Sequence, residues 1–323
     1  MHCQEEFKQF FKELLNSLPR RINVVLFGFF LILQPPQNAY SNWEIPLGEP
    51  VVREISISIP EPEEYPVNVN QVAAPWLSAK SVIVVDVDSK GVLLAKNPDW
   101  QLFPASTTKM MTALVVLEQY QLTDTITVSD LNGSIGQTME LEIGEQLTVE
   151  SLLYGLLVQS GNDVAVVLAQ NYPGGSEAFV ERMNQKAEEL HLNQTRFKNP
   201  SGVEAFEHVS TVHDLAILGA EVIKNPILAR IVSTPKITVT DLSGEIEHDL
   251  TNINQLVGQV PGVLGVKTGW TENAGECLVT YVERNGRRIM IALLGSEDRF
   301  GETETLINWI FENHKWEQIQ NPT

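Results

Sequence analysis

The sequence has very little cysteine: only Cys3 and Cys277 occur in 323 residues. Cys3 lies in an N-terminal segment that has the features of a removable export signal, which leaves Cys277 alone in the mature chain. A disulfide framework needs pairs of cysteines, and a cysteine-built zinc site needs several thiolates. Both are excluded. The six histidines also lack metal-ligand spacing, so we predict no metal site and no cofactor.

Basic residues are also scarce, because 22 Lys and Arg face 41 Asp and Glu, giving a net charge of −19. Proteins that bind nucleic acids contact the phosphates through clustered Lys and Arg, so we predict no nucleic-acid partner. The 21 Gly and 17 Pro are too few for a collagen-like or disordered chain. Together with a hydrophobic fraction of 43%, they indicate a folded protein that buries a substantial core.

No apolar run reaches the roughly 20 residues that a membrane-spanning helix needs. The longest such run covers residues 22–33, after Arg20 and Arg21, and Pro35-Pro36 follow it. The tripeptide Ala39-Tyr40-Ser41 places small residues where a signal peptidase cleaves. These features predict a signal peptide over residues 1–41 and an extracytoplasmic, exported protein. The alternative is an uncleaved segment that tethers the chain to the membrane.

Residues 42–75 are rich in Pro, Glu and Val and show no amphipathic period. This composition predicts an extended linker with one short strand at residues 55–59. We place the folded domain at residues 76–318, with no further β-rich domain after it.

Within that domain, strand-like and helix-like patterns follow one another in a definite order. Four strands are predicted, the last two joined by the hairpin signal Asn285-Gly286: 81–87, 92–96, 278–284 and 288–294. Six helices are predicted from apolar spacing and capping residues: 106–120, 149–159, 163–171, 176–190, 213–224 and 303–313. The order predicts an α/β fold of the α+β type, in which helices flank one antiparallel sheet and the middle helices form a helical subdomain.

The first candidate motif is Ser106-Thr107-Thr108-Lys109 at the start of an apolar helix. Positions i and i+3 of a helix share a face, so the hydroxyl and the amine can meet. Serine becomes a nucleophile when a neighbouring base takes its proton, and a lysine with a lowered pKa can do so. Ser233-Thr234-Pro235-Lys236 has the same spacing, but it leads into the strand pattern of residues 237–240.

Two further motifs each occur once. Ser160-Gly161-Asn162 lies between two apolar helices and offers a second hydroxyl and an amide. Lys267-Thr268-Gly269 follows a strand pattern, and its charge and hydroxyl suit a carboxylate. Each motif alone is equally typical of a structural turn or strand.

The three motifs in this order resemble the set found in penicillin-binding proteins and serine β-lactamases. Longer segments resemble the D-alanyl-D-alanine carboxypeptidases, the low-molecular-weight penicillin-binding proteins of peptidase family S11. These segments are residues 144–148, 195–202, 210–216 and 267–275. The resemblance covers about residues 70–316 and implies the β-lactamase/transpeptidase-like fold.

The resemblance also implies a role for each motif residue. Ser106 matches the acylated nucleophile, Lys109 its base, and Ser160 the group that passes a proton to the leaving D-alanine. The substrate-binding positions are Asn162, Lys267, Thr268 and Gly269, and the backbone N–H groups of Ser106 and Trp270 match the oxyanion hole. The implied partners are peptidoglycan stem peptides ending in D-Ala-D-Ala, with β-lactams as covalent inhibitors.

Three alternatives to a carboxypeptidase remain open. The absence of a C-terminal β-domain is typical of endopeptidases that cut peptidoglycan cross-links, although the Ser-Gly-Asn form is more typical of carboxypeptidases. Glu189-Leu190-His191-Leu192-Asn193 superficially matches the Glu-x-x-Leu-Asn of class A β-lactamases. A receptor that binds β-lactam or peptidoglycan without turnover is the third alternative.

Overall fold

The computed structural model describes residues 64–318. The expected signal peptide and the expected strand at residues 55–59 lie outside the described residues. Within this range, no helix combines the length and the apolar character that crossing a bilayer requires. The strands are β1 Tyr65–Asn68, β2 Ser81–Asp86, β3 Val92–Lys96, β4 Thr125–Thr127, β5 Gln146–Thr148, β6 Lys236–Thr240, β7 Glu247–Thr251, β8 Val263–Thr271, β9 Gly275–Arg284, β10 Arg287–Ser296 and β11 His314–Glu317. The helices are α1 Lys109–Gln119, α2 Val149–Leu157, α3 Asn162–Asn171, α4 Gly175–Glu189, α5 Val212–Lys224, α6 Pro226–Val232 and α7 Arg299–Asn313.

Five strands form the main sheet in the order β3-β2-β10-β9-β8, and every neighbouring pair is antiparallel. Helix α5 packs on one face and helix α7 on the other. Successive side chains of a strand point to opposite faces. Ile289 and Ile291 of β10 therefore join the core beneath α7, while Met290 and Ala292 join the core of the helical side. Because both faces are covered, β9 and β10 carry nearly unbroken apolar runs, and the expected α+β fold is confirmed.

The helical subdomain fixes the position of the turn that contains Ser160, between α2 and α3. Thr148 caps α2 by accepting a hydrogen bond from the Ser151 N–H at 3.1 Å. Four leucines of α2 are buried in the hydrophobic core on the helical side of the sheet: Leu152, Leu153, Leu156 and Leu157. The predicted helix at residues 149–159 is confirmed, ending two residues early so that residues 158–161 can turn into α3.

The structure differs from the expectation where strands are short. Strand β1 lies in the segment 42–75 that the sequence predicts to be an extended linker, and it pairs with β11. The packed unit thus begins earlier than residue 76. Strands β4 and β5 and helix α6 were also not expected. Elements this short carry too few residues for a clear periodic pattern, and the β1 pairing joins residues some 250 positions apart.

Cys277 is fully buried on β9. Its Sγ lies 3.8 Å from the carbonyl oxygen of Phe103, next to the turn that carries Ser106. Burial raises the pKa of the thiol to about 12.

Truncating Ile291, which is 0% exposed between the sheet and α7, should leave a cavity. We expect Ile291→Ala to lower the free energy of unfolding by about 2–5 kcal/mol, as core truncations do. Urea denaturation followed by circular dichroism measures the change. The matched control is Ile143→Ala, because Ile143 is 71% exposed. Equal losses for the two variants would contradict this account of the core.

Candidate active site

A turn of 3-10 helix, Ala105–Thr108, leads into α1 and carries the first motif. Lys109 opens α1, and its Nζ lies 2.8 Å from Ser106 Oγ. The side chain of Lys109 is 0% exposed, whereas Ser106 borders a cavity of about 530 Å³. The predicted meeting of hydroxyl and amine is therefore present.

The Lys109 amine has two further partners. The carbonyl oxygen of Ser201 lies 2.8 Å from Nζ, and Asn162 Oδ1 also accepts a hydrogen bond from it. Burial lowers the pKa of Lys109 well below its usual value, and the positive charge of Lys267 lowers it further against the opposing effect of Asp163. The environment therefore favours the neutral amine.

A neutral amine has two N–H groups and one lone pair. The oxygens of Ser201 and Asn162 can only accept, so they take the two N–H groups. The lone pair is then left for the Ser106 hydroxyl, which donates to it. This arrangement lets Lys109 remove the proton of Ser106.

The second motif forms the turn between α2 and α3. Ser160 has a φ of 64°, and both it and Asn162 border the cavity. The Asn162 side chain lies between two elements, because Oδ1 accepts from Lys109 while Nδ2 donates to the carbonyl oxygen of Ile135. Its backbone N–H donates to the carbonyl oxygen of Gln137 at 2.7 Å. Asn162 thus joins the base to the loop that forms one wall of the cavity.

The third motif lies on β8, at the edge of the main sheet. Thr268 and Gly269 border the cavity, but Lys267 does not. Lys267 is 2% exposed, and its Nζ donates to the carbonyl oxygen of Thr268 at 3.1 Å. Burial and then the charge of Arg299 lower the pKa of Lys267 to about 7. Lys267 is therefore buried next to residues that border the cavity, without bordering it itself.

Two glycines allow the backbone to close around Ser106. A Cβ on Gly269 would lie 2.9 Å from Ser106 N, and a Cβ on Gly202 would lie 1.9 Å from the carbonyl oxygen of Ala105. Gly202 also has a φ of +87°, which side-chain-bearing residues rarely adopt. Trp270 follows Gly269 and borders the cavity, so the two backbone positions expected for the oxyanion hole lie on the same cavity.

Arg299 is a site residue that the sequence analysis missed. It opens α7, borders the cavity, and donates from Nη1 to the carbonyl oxygen of Gly269 at 2.8 Å. In the sequence, Arg299 is only a basic residue near the start of a helix, and such a residue does not by itself indicate a function. Among the described residues that border the cavity, Arg299 is the one with a permanent positive charge.

The competing motifs lie elsewhere. Ser233 follows α6 and donates to the carbonyl oxygen of Arg230, while Lys236 is exposed on β6. Neither borders the cavity. Glu189, the acid of the β-lactamase-like segment, pairs with Arg182 and Lys186 at the end of α4.

The histidines near the site have structural partners. His208 Nδ1 accepts from the N–H of Lys198, so its Nε2–H donates to Thr108 Oγ1 at 2.9 Å. Burial, followed by the charge of Lys198, lowers the pKa of His208 to about 4, which keeps the ring neutral. Across residues 64–318, no cluster of three His, Cys, Asp or Glu side chains is arranged to hold a metal ion.

Several characterised enzymes are similar in sequence to most of the described part of this chain. DacF, a D-alanyl-D-alanine carboxypeptidase of Bacillus subtilis, is 33% identical over 246 residues, which are 73% of this chain and 63% of the relative. The chain thus spans less than two thirds of that protein. A D-alanyl-D-alanine endopeptidase of Pseudomonas aeruginosa is 33% identical over 72% of this chain and 77% of its own length.

The fold is similar to that of a solved enzyme. The DD-transpeptidase of Streptomyces K15 superposes with a TM-score of 0.70 at 29% identity, covering 75% of this chain and all of that one. The family model described as D-alanyl-D-alanine carboxypeptidase, Peptidase_S11, matches residues 68–298. With a match over most of its length, the chain belongs to peptidase family S11, the D-alanyl-D-alanine carboxypeptidase family.

Proposed function

We propose that this protein is a serine-type D-Ala-D-Ala carboxypeptidase that removes the terminal D-alanine from peptidoglycan stem pentapeptides. The observation that carries the proposal is the buried Lys109 amine, which lies 2.8 Å from a Ser106 hydroxyl that borders the cavity. The family membership supports the choice of substrate.

In the acylation step, Ser106 Oγ attacks the carbonyl carbon of the penultimate D-alanine while its proton passes to the Lys109 amine. The carbonyl oxygen becomes an oxyanion, and the N–H groups of Ser106 and Trp270 would stabilise it. As the tetrahedral intermediate collapses, the peptide bond breaks. The leaving amine takes a proton that passes from Lys109 through the Ser160 hydroxyl.

Hydrolysis of the ester completes the cycle. A water attacks the acyl carbon, its proton passes to Lys109, and the bond to Ser106 Oγ breaks. Ser106 recovers a proton from Lys109, and the shortened stem peptide leaves. No step requires a group other than the chain, the peptide and water.

Two of the residues that border the cavity can recognise the free carboxylate. Thr268 supplies a hydroxyl, and Arg299 supplies a positive charge that borders the cavity. Lys267 is buried, donates from Nζ to the Thr268 carbonyl oxygen, and adds charge when it is protonated. The charge of Lys267 also lowers the pKa of Lys109, so we expect it to affect both binding and chemistry.

A second candidate activity is cleavage of peptidoglycan cross-links, favoured by the similarity to a D-alanyl-D-alanine endopeptidase. Incubation with pentapeptide muropeptides and with cross-linked dimers, followed by mass spectrometry, separates the two. Loss of one D-alanine from the pentapeptide supports the carboxypeptidase. Conversion of dimers alone would contradict it.

The β-lactamase and receptor alternatives receive less support. Glu189 is engaged by Arg182 on α4 and does not border the cavity, so it is not placed to activate a deacylating water. A receptor that binds its ligand without forming a covalent bond has no need for a neutral base beside its serine.

We further propose that the protein acts outside the cytoplasm, in the periplasm or at the wall-facing side of the membrane, where stem peptides occur. The predicted export signal at residues 1–41 and the membership of a cell-wall enzyme family support this proposal. If residues 1–41 are not cleaved, they would tether the domain to the membrane.

Ser106 should be the residue that a fluorescent penicillin labels, because the β-lactam acylates the same nucleophile. We expect Ser106→Ala to abolish labelling and D-alanine release while its circular dichroism spectrum stays unchanged. The matched control is Ser233→Ala, which removes the serine of the other Ser-x-x-Lys motif and should label normally. Labelling that disappears with Ser233 instead would show that the wrong serine is assigned.

Replacing Lys267 should weaken recognition of the terminal carboxylate. We expect Lys267→Ala to lose on the order of 2–4 kcal/mol of transition-state stabilisation on acid-ended peptides, as charge-paired contacts do. Its residual activity should distinguish a carboxylate from a carboxamide terminus less sharply than the parent does, because Arg299 and Thr268 still border the cavity. Measurement of kcat/KM on the two peptides tests this. A parent enzyme that cleaves both equally well would exclude the assigned role.

The buried Lys267 should also leave a pH signature in stability. Its pKa is about 7 in the folded chain and 10.5 as a free side chain, so between these values the unfolded state binds more protons. Lys267 therefore destabilises the fold at pH 7, and the penalty shrinks by up to about 1.4 kcal/mol per pH unit as the pH rises toward 10.

Urea denaturation of Lys267→Met from pH 7 to 10 measures this effect by comparison with the parent. The variant should be more stable at pH 7, and its advantage should fall as the pH rises. A stability difference that does not change with pH would mean that Lys267 is not buried as a charge-penalised group.

A further inference from the structure

His248 and Glu145 form a buried pair that the mechanism above does not use. His248 lies on β7 and is 6% exposed, and Glu145 precedes β5 and is 4% exposed. His248 Nε2 lies 2.6 Å from Glu145 Oε1, and His248 Nδ1 lies 3.0 Å from the carbonyl oxygen of Met139. Burying two such polar groups is unfavourable unless they are well paired, as they are here.

Both partners of the imidazole ring are acceptors. The Met139 carbonyl takes one ring N–H, and the Glu145 carboxylate takes the other, so the two hydrogen bonds together need both ring protons. The pair is therefore a charge-assisted contact that fixes the orientation of the ring. Glu145 uses its second oxygen, Oε2, to accept from the N–H of Glu142 at 2.9 Å.

The Met139 peptide is held from both sides. Its carbonyl oxygen accepts from His248, and its own N–H donates to the Asp163 carboxylate at 3.0 Å. Asp163 also accepts from the N–H of Leu141 at 3.1 Å. One clamp comes from β7 and the other from α3, the helix that begins with the motif residue Asn162.

The clamped segment continues directly into the site. Ile135, Gly136 and Gln137 border the cavity, and the carbonyl oxygens of Ile135 and Gln137 accept from the side chain and backbone of Asn162. Asn162 in turn accepts from Lys109. A displacement of the Met139 peptide would therefore move both a cavity wall and a group that orients the base.

We infer that His248 and Glu145 act as a positioning pair, which holds the Met139 peptide so that the 135–137 wall and Asn162 keep Lys109 aligned on Ser106. The inference rests on the proposed function. The pair touches neither the substrate nor the reacting atoms.

A neutral variant separates the hydrogen bonds of the pair from its charge. In Glu145→Gln, the amide N–H can donate to His248 Nε2 while the ring Nδ1–H still donates to Met139. The amide oxygen can still accept from Glu142. Every contact of the pair is then kept, but the His248 ring carries one proton instead of two. Glu145→Ala and His248→Ala remove the contacts altogether.

The test measures the rate of acylation by a fluorescent penicillin, with the fraction of active molecules taken from the labelling stoichiometry. Because misplacing reacting groups by about 1 Å can cost 100-fold, we expect both alanine variants to acylate about 10- to 100-fold more slowly per active molecule. Glu145→Gln should stay within about threefold of the parent. On D-Ala-D-Ala peptides the alanine variants should lose kcat more than they raise KM.

The matched control is Trp316→Phe, which removes the Trp316 Nε1–H hydrogen bond of 2.8 Å to the buried Asp86. Neither residue borders the cavity. We expect a lower melting temperature and an unchanged acylation rate, as a purely structural contact would give.

Two results would overturn the inference. One is an alanine variant that acylates at the parent rate per active molecule. The other is Glu145→Gln being as slow as Glu145→Ala. If one alanine variant does not fold, the other gives the same comparison. A parent that reacts with penicillin but releases no D-alanine would instead refute the proposed function, while the acylation rates would still decide the role of the pair.

Discussion

The rest of the site depends on the burial of one amine. Lys109 is removed from water and surrounded by the oxygens of Ser106, Asn162 and Ser201. Burial disfavours the ammonium form, and the two carbonyl-type oxygens give the remaining N–H groups fixed directions. Three separate parts of the chain must meet at this atom: the Ser106 turn with α1, the start of α3, and the loop that contains Ser201. These parts therefore have to pack accurately against one another.

The three basic side chains near the site differ in how far they are from water. Lys109 is fully buried beside the nucleophile, Lys267 is buried without bordering the cavity, and Arg299 borders it. Burial lowers the pKa of both lysines, and charge repulsion adds to this effect: Arg299 lowers the pKa of Lys267 further, and Lys267 lowers that of Lys109 further. The same charges that suit an anionic substrate terminus thus also favour the neutral base.

Much of the fold could be predicted because its main elements are long and periodic. The Asn285-Gly286 hairpin and the α2 leucines have local signals, and the structure has both where the sequence places them. Strands β1 and β11 could not be found in this way, since four-residue strands gain their stability from a partner far along the chain.

The site divides in a similar way. Ser106, Lys109 and Thr268 belong to motifs with fixed spacing, so the sequence alone identifies them as candidates. Arg299 and His248 act through contacts between distant segments, and neither has a recognisable local pattern. Only the folded chain brings Arg299 to Gly269 and His248 to Met139.

The position of Cys277 has a consequence for redox chemistry. Thiol–disulfide exchange requires a thiolate that another sulfur can approach, and thiols with a raised pKa are slow attackers at neutral pH. Because burial raises its pKa to about 12 and leaves it no exposed surface, Cys277 stays in the thiol form at neutral pH. Within the described residues, the Cys277 thiol is therefore shielded from disulfide exchange, and the folded domain needs no reductant to keep this thiol intact.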